Sequence, residues 1–491
     1  MSKYLYGASV QGIQSFIFQT NKLKEIIGAS ELVEEICTSM FAEQIEKTYE
    51  ELLVDKNAIV NAAGNIKYVF DDEELCKKTF LEFPKKVMEA APGITISQAV
   101  VEFDKEQFSE IVNILEKKLL AQRNRPMPSL TIGIMGMQRS RATGFPAVDK
   151  DNGNFYDEGA KKKLQAKERN ALWDKSVAST LDYPNLTATD NINNITEKND
   201  WIAIVHADGN GLGQVIRTIG NNNEKLHQFS LALDKATTAA AQEAVAITLN
   251  KTDTQGLKFY PFRPIVLGGD DLTIIIRGDL AIKYVEAFLN AFEKETKKRL
   301  ANIDVRLGNG LTACAGIAFI KSSFPYYYGY NLAEDLCSAA KKDAKSRGND
   351  VRSCIMFHKV QDSFVEDYNE IIERELTTSE GLSFKFGPYY LDNSDIDRWS
   401  IDDLVKSVKD LDDKEGNALK SGIRQWLTAL LENGGEEKGR QVYNRLHEIT
   451  LKKDIAERLT KKRGRDSKTV HPAIPAYDVL SLHSIECQQT K

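Results

Sequence analysis

Residues 262–277 read FRPIVLGGDDLTIIIR, and the fold is decided there. Two runs rich in β-branched and large apolar side chains flank a GGDD step, which predicts a β-hairpin. Gly268 and Gly269 keep side chains out of the tight turn and admit a positive φ. Asp270 and Asp271 then stand side by side at the hairpin tip. An ordinary exposed turn also accommodates aspartate, whose side chain satisfies turn geometry, so the pair alone does not establish chemistry.

Outward from the hairpin, the pattern is that of a compact α/β unit. Upstream, the apolar run Trp201–Val205 reads as a buried strand that enters HADGNGLG (206–213) and then a long helical stretch over 214–249. Downstream, AIKYVEAFLNAFEKETKKRL (281–300) has helical periodicity and LTACAGIAFI (311–320) reads as a strand. The same order occurs near the N-terminus. YLYGASV (4–10) is a strand, residues 12–49 are mostly helical, AIVNAAGNIKYVF (58–70) is a hairpin, 72–91 a helix and ITISQAVVEF (94–103) a strand. Both copies read β-α-β-β-α-β, the ferredoxin-like split unit.

The expected architecture is therefore α+β. A first ferredoxin-like domain spans 1–120, an irregular insertion or linker rich in Asn, Asp, Gly and Pro spans 121–200, and a second ferredoxin-like domain spans 201–361. Beyond it the pattern turns helical (SIDDLVKSVKDL, ALKSGIRQWLTALLEN, KGRQVYNRLHEITLKKDIAERL), and 362–491 is read as an all-helical C-terminal domain.

Bulk properties exclude several classes. The chain has 491 residues, 42% hydrophobic and 28% charged, with no apolar run near the length of a membrane span. Its first residues are interrupted by Gln and Ser too early for a signal peptide, so a cytoplasmic location is expected. Six cysteines are scattered without a CxxC pair, which argues against a zinc ribbon and a disulfide framework. With 65 basic and 71 acidic residues the net charge is −6, so any contact with nucleic acid must be local. The segment Lys452–Lys468 is the basic stretch that qualifies, and a solvated helix end explains it equally well.

Asp208 strengthens the case for chemistry. It falls at the C-terminal end of a strand that this topology sets beside the hairpin, and Gly209 and Gly211 leave room for a ligand to approach the backbone. Asp208, Asp270 and Asp271 would converge on one sheet edge, where they repel one another unless Mg²⁺ or Mn²⁺ neutralises them. Two such ions, about 3.5–4 Å apart, activate a hydroxyl and stabilise departing pyrophosphate, the logic of nucleotidyl transfer. AEDLCSAAKKDAKSRGND (333–350) reads as a helix ending at Gly348, and it carries Lys341, Lys342, Lys345 and Arg347. Cations there complement the helix dipole in any protein, and a lysine reaching the sheet edge also suits β- and γ-phosphates.

Taken together, HADGNGLG, LGGDDLTIII, CAGIAFIKSSFPYYYGYNLAEDLCSAAKKDAKSRGN and the N-terminal YGASVQGIQSFIFQTNKLKEIIGAS resemble the large, polymerase-like subunit of type III CRISPR effector complexes, of the Cmr kind. The resemblance runs from residue 1 to about 358, and GGDD with AKSRGN is more distantly similar to GGDEF-type diguanylate cyclases. It implies two palm domains, the second binding ATP and two divalent ions and making oligoadenylate messengers, within a complex that holds guide RNA, target RNA and other subunits.

On this resemblance the metal and catalytic carboxylates fall on Asp208, Asp270 and Asp271, and Gly268 and Gly269 form the turn. The helix lysine falls on Lys345; the arginine expected four residues later is Asn349, with Arg347 nearby. Gly209 and Lys341 complete the expected nucleotide contacts. Three features depart from the pattern. The first palm has Ala8 and Ser9 where a metal aspartate might stand, and AAGN at 62–65 in place of a hairpin carboxylate pair, so it reads as catalytically silent. No histidine is followed by Asp, so HD-type DNA cleavage is not expected, and MQRSRATGFPAV (137–148) lacks the cysteines of a zinc insertion.

Other readings stay open at this stage. Gly209, Gly211 and Gly213 have G-x-G-x-G spacing, which departs from the dinucleotide fingerprint, and no P-loop motif occurs. A non-catalytic scaffold binding RNA and partner subunits, or a diguanylate-cyclase-like enzyme, would use the same framework.

Overall fold

The computed structural model describes every residue except 1, 63, 105–107, 126–131, 179–185, 197–200, 220–221, 250–255, 304–306, 349, 363–366, 393–397, 433–434, 463–471 and 487–491. Asn349, His471, Cys487, and Arg463, Arg465 and Lys468 of the basic stretch thus lie outside the described residues.

The N-terminal strands are β1 (Lys3–Gln11), β2 (Ala58–Ala62), β3 (Asn65–Phe70) and β4 (Thr95–Phe103). They form an antiparallel sheet in the order β2-β3-β1-β4, which is the ferredoxin-like order. Helices Leu23–Cys37 and Glu73–Ala90 belong to this unit. Asp72 starts the second of them by accepting the Glu74 amide at 3.0 Å, a side-chain cap on an otherwise orphaned donor. Twelve of the fifteen residues of Leu23–Cys37 are buried, Glu25 and Glu31 among them.

Residues 121–200, read as irregular, contain a small hairpin, β5 (Asp149–Asp151) with β6 (Asn154–Tyr156), and the helices Glu158–Ala166 and Ala171–Ser176. The first packs so closely on Leu23–Cys37 that a Cβ on Gly28 would sit 1.6 Å from the Lys163 carbonyl oxygen. The Lys163 ammonium is buried and donates to the Phe16 carbonyl at 2.6 Å; burial lowers its pKa to about 8.

The second sheet contains β7 (Trp201–Gly209), β8 (Phe262–Gly268), β9 (Asp271–Arg277), β10 (Ala313–Lys321), β11 (Cys354–Lys359) and β12 (Tyr389–Tyr390). Its order is β12-β11-β10-β7-β9-β8. The four strands foreseen from sequence make its ferredoxin-like part, and β11 extends it in parallel with β10, Cys314 opposite Cys354. A parallel neighbour needs a crossover, supplied by helix Tyr326–Ser346. The helical stretch after β7 is two helices, Leu212–Ile219 and Asn223–Thr248. Asn222 breaks them by capping the second, its side chain accepting the Lys225 amide at 3.0 Å.

Compact contacts gather the chain into two units, one of residues 1–192, 209–274 and 291–311, the other of 193–208, 275–290 and 312–491.

Residues 362–491, read as all-helical, are mostly so, with helices Ile401–Lys409, Lys414–Leu431, Gly435–Ile449, Lys453–Thr460 and Ala476–Glu486, but Tyr389–Tyr390 departs from that reading by pairing antiparallel with β11 as β12. The last helix is tied to β12 through Asp478, whose carboxylate accepts the Tyr389 hydroxyl at 2.7 Å and the Gly387 amide at 3.3 Å. In the basic stretch, Lys452 is paired with Asp413 at 2.7 Å and Arg458 with Asp410. No helix among the described residues is long and apolar enough to cross a membrane.

Burial gives this core an acid-sensitive element. His358 on β11 is 4% exposed, and desolvation holds its pKa down at about 4. Below the unfolded value of about 6.5, the unfolded chain takes a proton that the folded chain refuses. Stability should therefore fall as pH drops from 6.5 towards 4, by on the order of 3 kcal/mol for this group. A His358→Phe chain followed by thermal unfolding across that window should show a visibly flatter profile, and an unchanged slope would contradict the assignment.

Candidate functional site

The GGDD hairpin has a two-residue turn, Gly269–Asp270, between the end of β8 at Gly268 and the start of β9 at Asp271. Gly269 has φ +61°, the conformation that a type II′ turn requires at its first central position. Two groups on helix Asn223–Thr248 hold this turn. Thr237 Oγ1 donates to the Gly269 carbonyl at 2.6 Å, and the Gly269 amide reaches Asp234 Oδ1 at 3.4 Å.

β7 lies next to β9 in the sheet, so its last residues end beside the turn. Asp208 is the penultimate residue of β7, and its carboxylate meets those of Asp270 and Asp271. One oxygen from each of the three lies within 4.8 Å of the others, all three residues are half-buried, and this is the one such group among the described residues. An all-carboxylate donor set at this separation fits a hard divalent cation, which takes oxygen ligands and offsets the mutual repulsion.

Lys341, from helix Tyr326–Ser346, makes an ion pair with Asp208 and is 16% exposed. His206, two residues before Asp208 on the same strand face, packs edge-on against Tyr330 at 5.7 Å. Burial lowers its pKa to about 4, with Asp208 opposing and Lys341 reinforcing the shift, so it stands neutral beside the carboxylates. Glu334 of the same helix has its carboxyl raised by burial, then by Asp335 and Asp208.

Gly209 and Gly268 flank the trio on the backbone. A Cβ at Gly209 would lie 2.8 Å from Leu212 Cδ1 and 3.0 Å from both Cβ and Oδ2 of Asp270. Gly209→Ala should therefore push the Asp270 carboxylate aside and weaken Mn²⁺ binding by about tenfold, the usual consequence of mispositioning a ligand. Titration of the variant by electron paramagnetic resonance checks this, and wild-type affinity would refute it.

Of the other basic residues singled out, Lys345 is exposed, while Arg347 stacks over the Tyr390 ring at 4.7 Å and is 12% exposed. The Tyr390 hydroxyl donates to Asp343 at 2.5 Å, and Arg398 also reaches Asp343 at 3.0 Å. In the N-terminal sheet, Ser9 Oγ donates to Asn65 Oδ1 at 3.0 Å and accepts from Arg123 at 3.0 Å. That neutral pair with a guanidinium repels a cation, opposite in character to the trio.

Sequence reasoning passed over Asp234, Thr237 and Lys175. Lys175 Nζ donates to Asp234 Oδ1 at 2.8 Å and to the Leu267 carbonyl at 3.0 Å. These residues belong to helices whose other positions read as ordinary amphipathic or loop sequence, so the only signal was a polar residue on a face packed against the sheet.

Residues 201–350 match the family described as Cas10/Cmr2, second palm domain. Solved structures of Csm1-Csm4 assemblies share the fold. The Csm1-Csm4 cassette in complex with AMPPNP is 13% identical with a TM-score of 0.58, covering 100% of this chain and 70% of that one. The cassette in complex with pppApApA gives 13% and 0.58, covering 100% and 69%. The Csm1-Csm4 subcomplex of the type III-A CRISPR-Csm interference complex gives 13% and 0.53, covering 100% and 70%. No curated protein matches the chain.

Proposed function

We propose that this chain, a Cas10-like subunit whose residues 201–350 form a second palm domain of the Cas10/Cmr2 kind, is a divalent-metal-dependent nucleotidyl transferase that makes oligoadenylate-type messengers from ATP. The observation that carries the reading is the convergence of Asp208, Asp270 and Asp271 within 4.8 Å on that palm. Similar Csm1-Csm4 structures are complexes with AMPPNP, pppApApA and cA4, which supports an adenine nucleotide as the substrate class.

In the reaction, the 3′-hydroxyl oxygen of one nucleotide forms a bond to the α-phosphorus of another. The α–β bridging P–O bond breaks, pyrophosphate departs, and the hydroxyl proton passes to solvent. Asp208, Asp270 and Asp271 would hold two Mg²⁺ or Mn²⁺ ions, which when bound supply charge neutralisation and lower the hydroxyl pKa. The protein's own contribution is placement. The Gly209 backbone leaves space beside Asp270, and Gly268, closing β8, and Gly269, opening the turn, bring up the tip carboxylates without side chains of their own. Lys341, already paired with Asp208, lies within reach of any phosphate held at that carboxylate, and the exposed Lys345 adds a second cation on the same helix. Neutral His206 keeps additional positive charge from competing with the ions.

We further read the chain as one subunit of a type III ribonucleoprotein with guide RNA, target RNA and other subunits. Similarity to the Csm1-Csm4 subcomplex and the basic stretch starting at Lys452 support this. The test is mass spectrometry of products from ATP, and separately GTP, with Mg²⁺ or Mn²⁺, for the chain alone and assembled with guide and target RNA. Adenylate oligomers with pyrophosphate, increased on target binding, are expected. Products from GTP alone would indicate a diguanylate-cyclase-like enzyme, and no product under any condition would indicate a scaffold.

A further inference from the structure

The GGDD hairpin is not held by its own sheet alone. β8 is the edge strand, so outward carbonyls there lack a ladder partner. The Leu267 carbonyl, two residues before the turn, accepts instead from Lys175 Nζ at 3.0 Å. The same ammonium contacts Asp234 Oδ1 at 2.8 Å and lies 3.5 Å from Glu34 Oε1. Asp234 also faces the Gly269 amide at 3.4 Å, so one carboxylate links the lysine to the turn itself.

These three side chains are half-buried: Lys175 is 19% exposed, Glu34 17% and Asp234 29%. Burial raises the Glu34 carboxyl. For Lys175, burial opposes the charge, yet Glu34 and Asp234 together push its pKa upward, so the ammonium is retained. A cavity of about 30 Å³, room for a water, adjoins Glu34, Lys175 and Asp234.

Lys175 is itself held in place. The helix Ala171–Ser176 presents its N-terminus to Glu31, which accepts the Ala171 amide at 2.9 Å and the Leu172 amide at 3.3 Å. Trp173 of that helix stacks on Phe262 of β8 with centroids 5.4 Å apart. Gln242 Nε2 donates to the Lys175 carbonyl at 3.1 Å. Glu31 and Glu34 both lie on helix Leu23–Cys37 of the N-terminal ferredoxin-like unit, one turn apart.

We propose that Lys175 is a positioning residue for the GGDD hairpin, bracing Leu267 and Asp234 against Glu34 so that the N-terminal unit fixes where Asp270 and Asp271 stand. The proposal rests on reading those aspartates as metal ligands. It gives the N-terminal ferredoxin-like unit, which lacks carboxylates at Ser9 and Asn65, a part in the site: displacement of the Leu23–Cys37 helix is transmitted through Glu31, Glu34 and Lys175 to the hairpin.

The test uses the full chain and Mn²⁺ alone, followed by electron paramagnetic resonance, with thermal unfolding measured in parallel. Lys175→Met leaves two carboxylates facing each other, so Glu34→Gln/Lys175→Met is made as well to remove the excess charge. Both should bind Mn²⁺ about tenfold more weakly, as outer partners of metal ligands generally do when lost. Lys175→Arg should recover much of the affinity, and the double variant should unfold near the wild-type temperature. An Asp270→Asn/Asp271→Asn chain is the control. Unchanged Mn²⁺ affinity in Glu34→Gln/Lys175→Met, with the control impaired, overturns the positioning role alone. Unchanged affinity in the control overturns the metal-ligand reading and this proposal with it.

Discussion

Asp270→Ala/Asp271→Ala should abolish ATP coupling, lowering the rate by at least about a thousandfold, while leaving the fold intact. Removing a single preorganised charge-stabilising group typically costs on the order of 10²–10³ in rate, and this change deletes two of three carboxylates at once. Both side chains stand at a turn and a strand start, half-buried, and contribute repulsion to the cluster. Neither fills the core, which along β9 is Leu272 to Ile276. The unfolding temperature should accordingly be unchanged or raised. Pyrophosphate release and calorimetry on the same preparation check both halves. Residual coupling near the wild-type rate would remove these aspartates from the chemistry, and a collapsed unfolding transition would give them a structural role instead.

Gly316→Ala should strongly destabilise the second palm. Helix Tyr326–Ser346 crosses β10 at this glycine. A Cβ there would sit 1.9 Å from the Ala333 carbonyl oxygen and 2.5 Å from the Cys337 amide nitrogen. Both obstacles are backbone, so no side-chain rotation relieves them, and the helix must lift from the sheet. Overpacking typically costs about 1–3 kcal/mol, and a clash with backbone belongs at the upper end of that range. The same movement carries Lys341 away from Asp208, because both its Cα and Gly316's contacts belong to one helix. Chemical denaturation should show the stability loss, and a loss below about 0.5 kcal/mol, the range of a neutral surface change, would mean the helix docks elsewhere.

Much of this was legible in the residues. Short apolar, β-branched runs, a GGDD step between two of them and a repeated β-α-β-β-α-β order made both ferredoxin-like sheets readable, since strand propensity and turn chemistry are local properties. Convergence of Asp208 with the hairpin followed from topology alone, because neighbouring strands of that unit end together. β11 was harder. CIMFHK is short and apolar, and its pairing with β10 is a tertiary fact that periodicity does not carry. The helices Glu158–Ala166 and Ala171–Ser176 were hidden for the opposite reason. Each is under three turns, too short to be stable alone, and each exists by docking onto Leu23–Cys37 through Gly28, Glu31 and Glu34. Lys175 was invisible with them. Arg347 had the composition of a phosphate contact, but its stacking on Tyr390 depends on a strand some forty residues away.

The central claim is that Asp208, Asp270 and Asp271 bind the catalytic cations together. Its most direct test is a crystal of this chain grown with Mn²⁺ and a non-hydrolysable ATP analogue, with anomalous scattering recorded at the manganese edge. Two anomalous peaks, about 3.5–4 Å apart, are expected, with oxygens of Asp208, Asp270 and Asp271 among their ligands. Peaks elsewhere in the chain, with the three aspartates bearing no metal and the analogue bound apart from them, would contradict it.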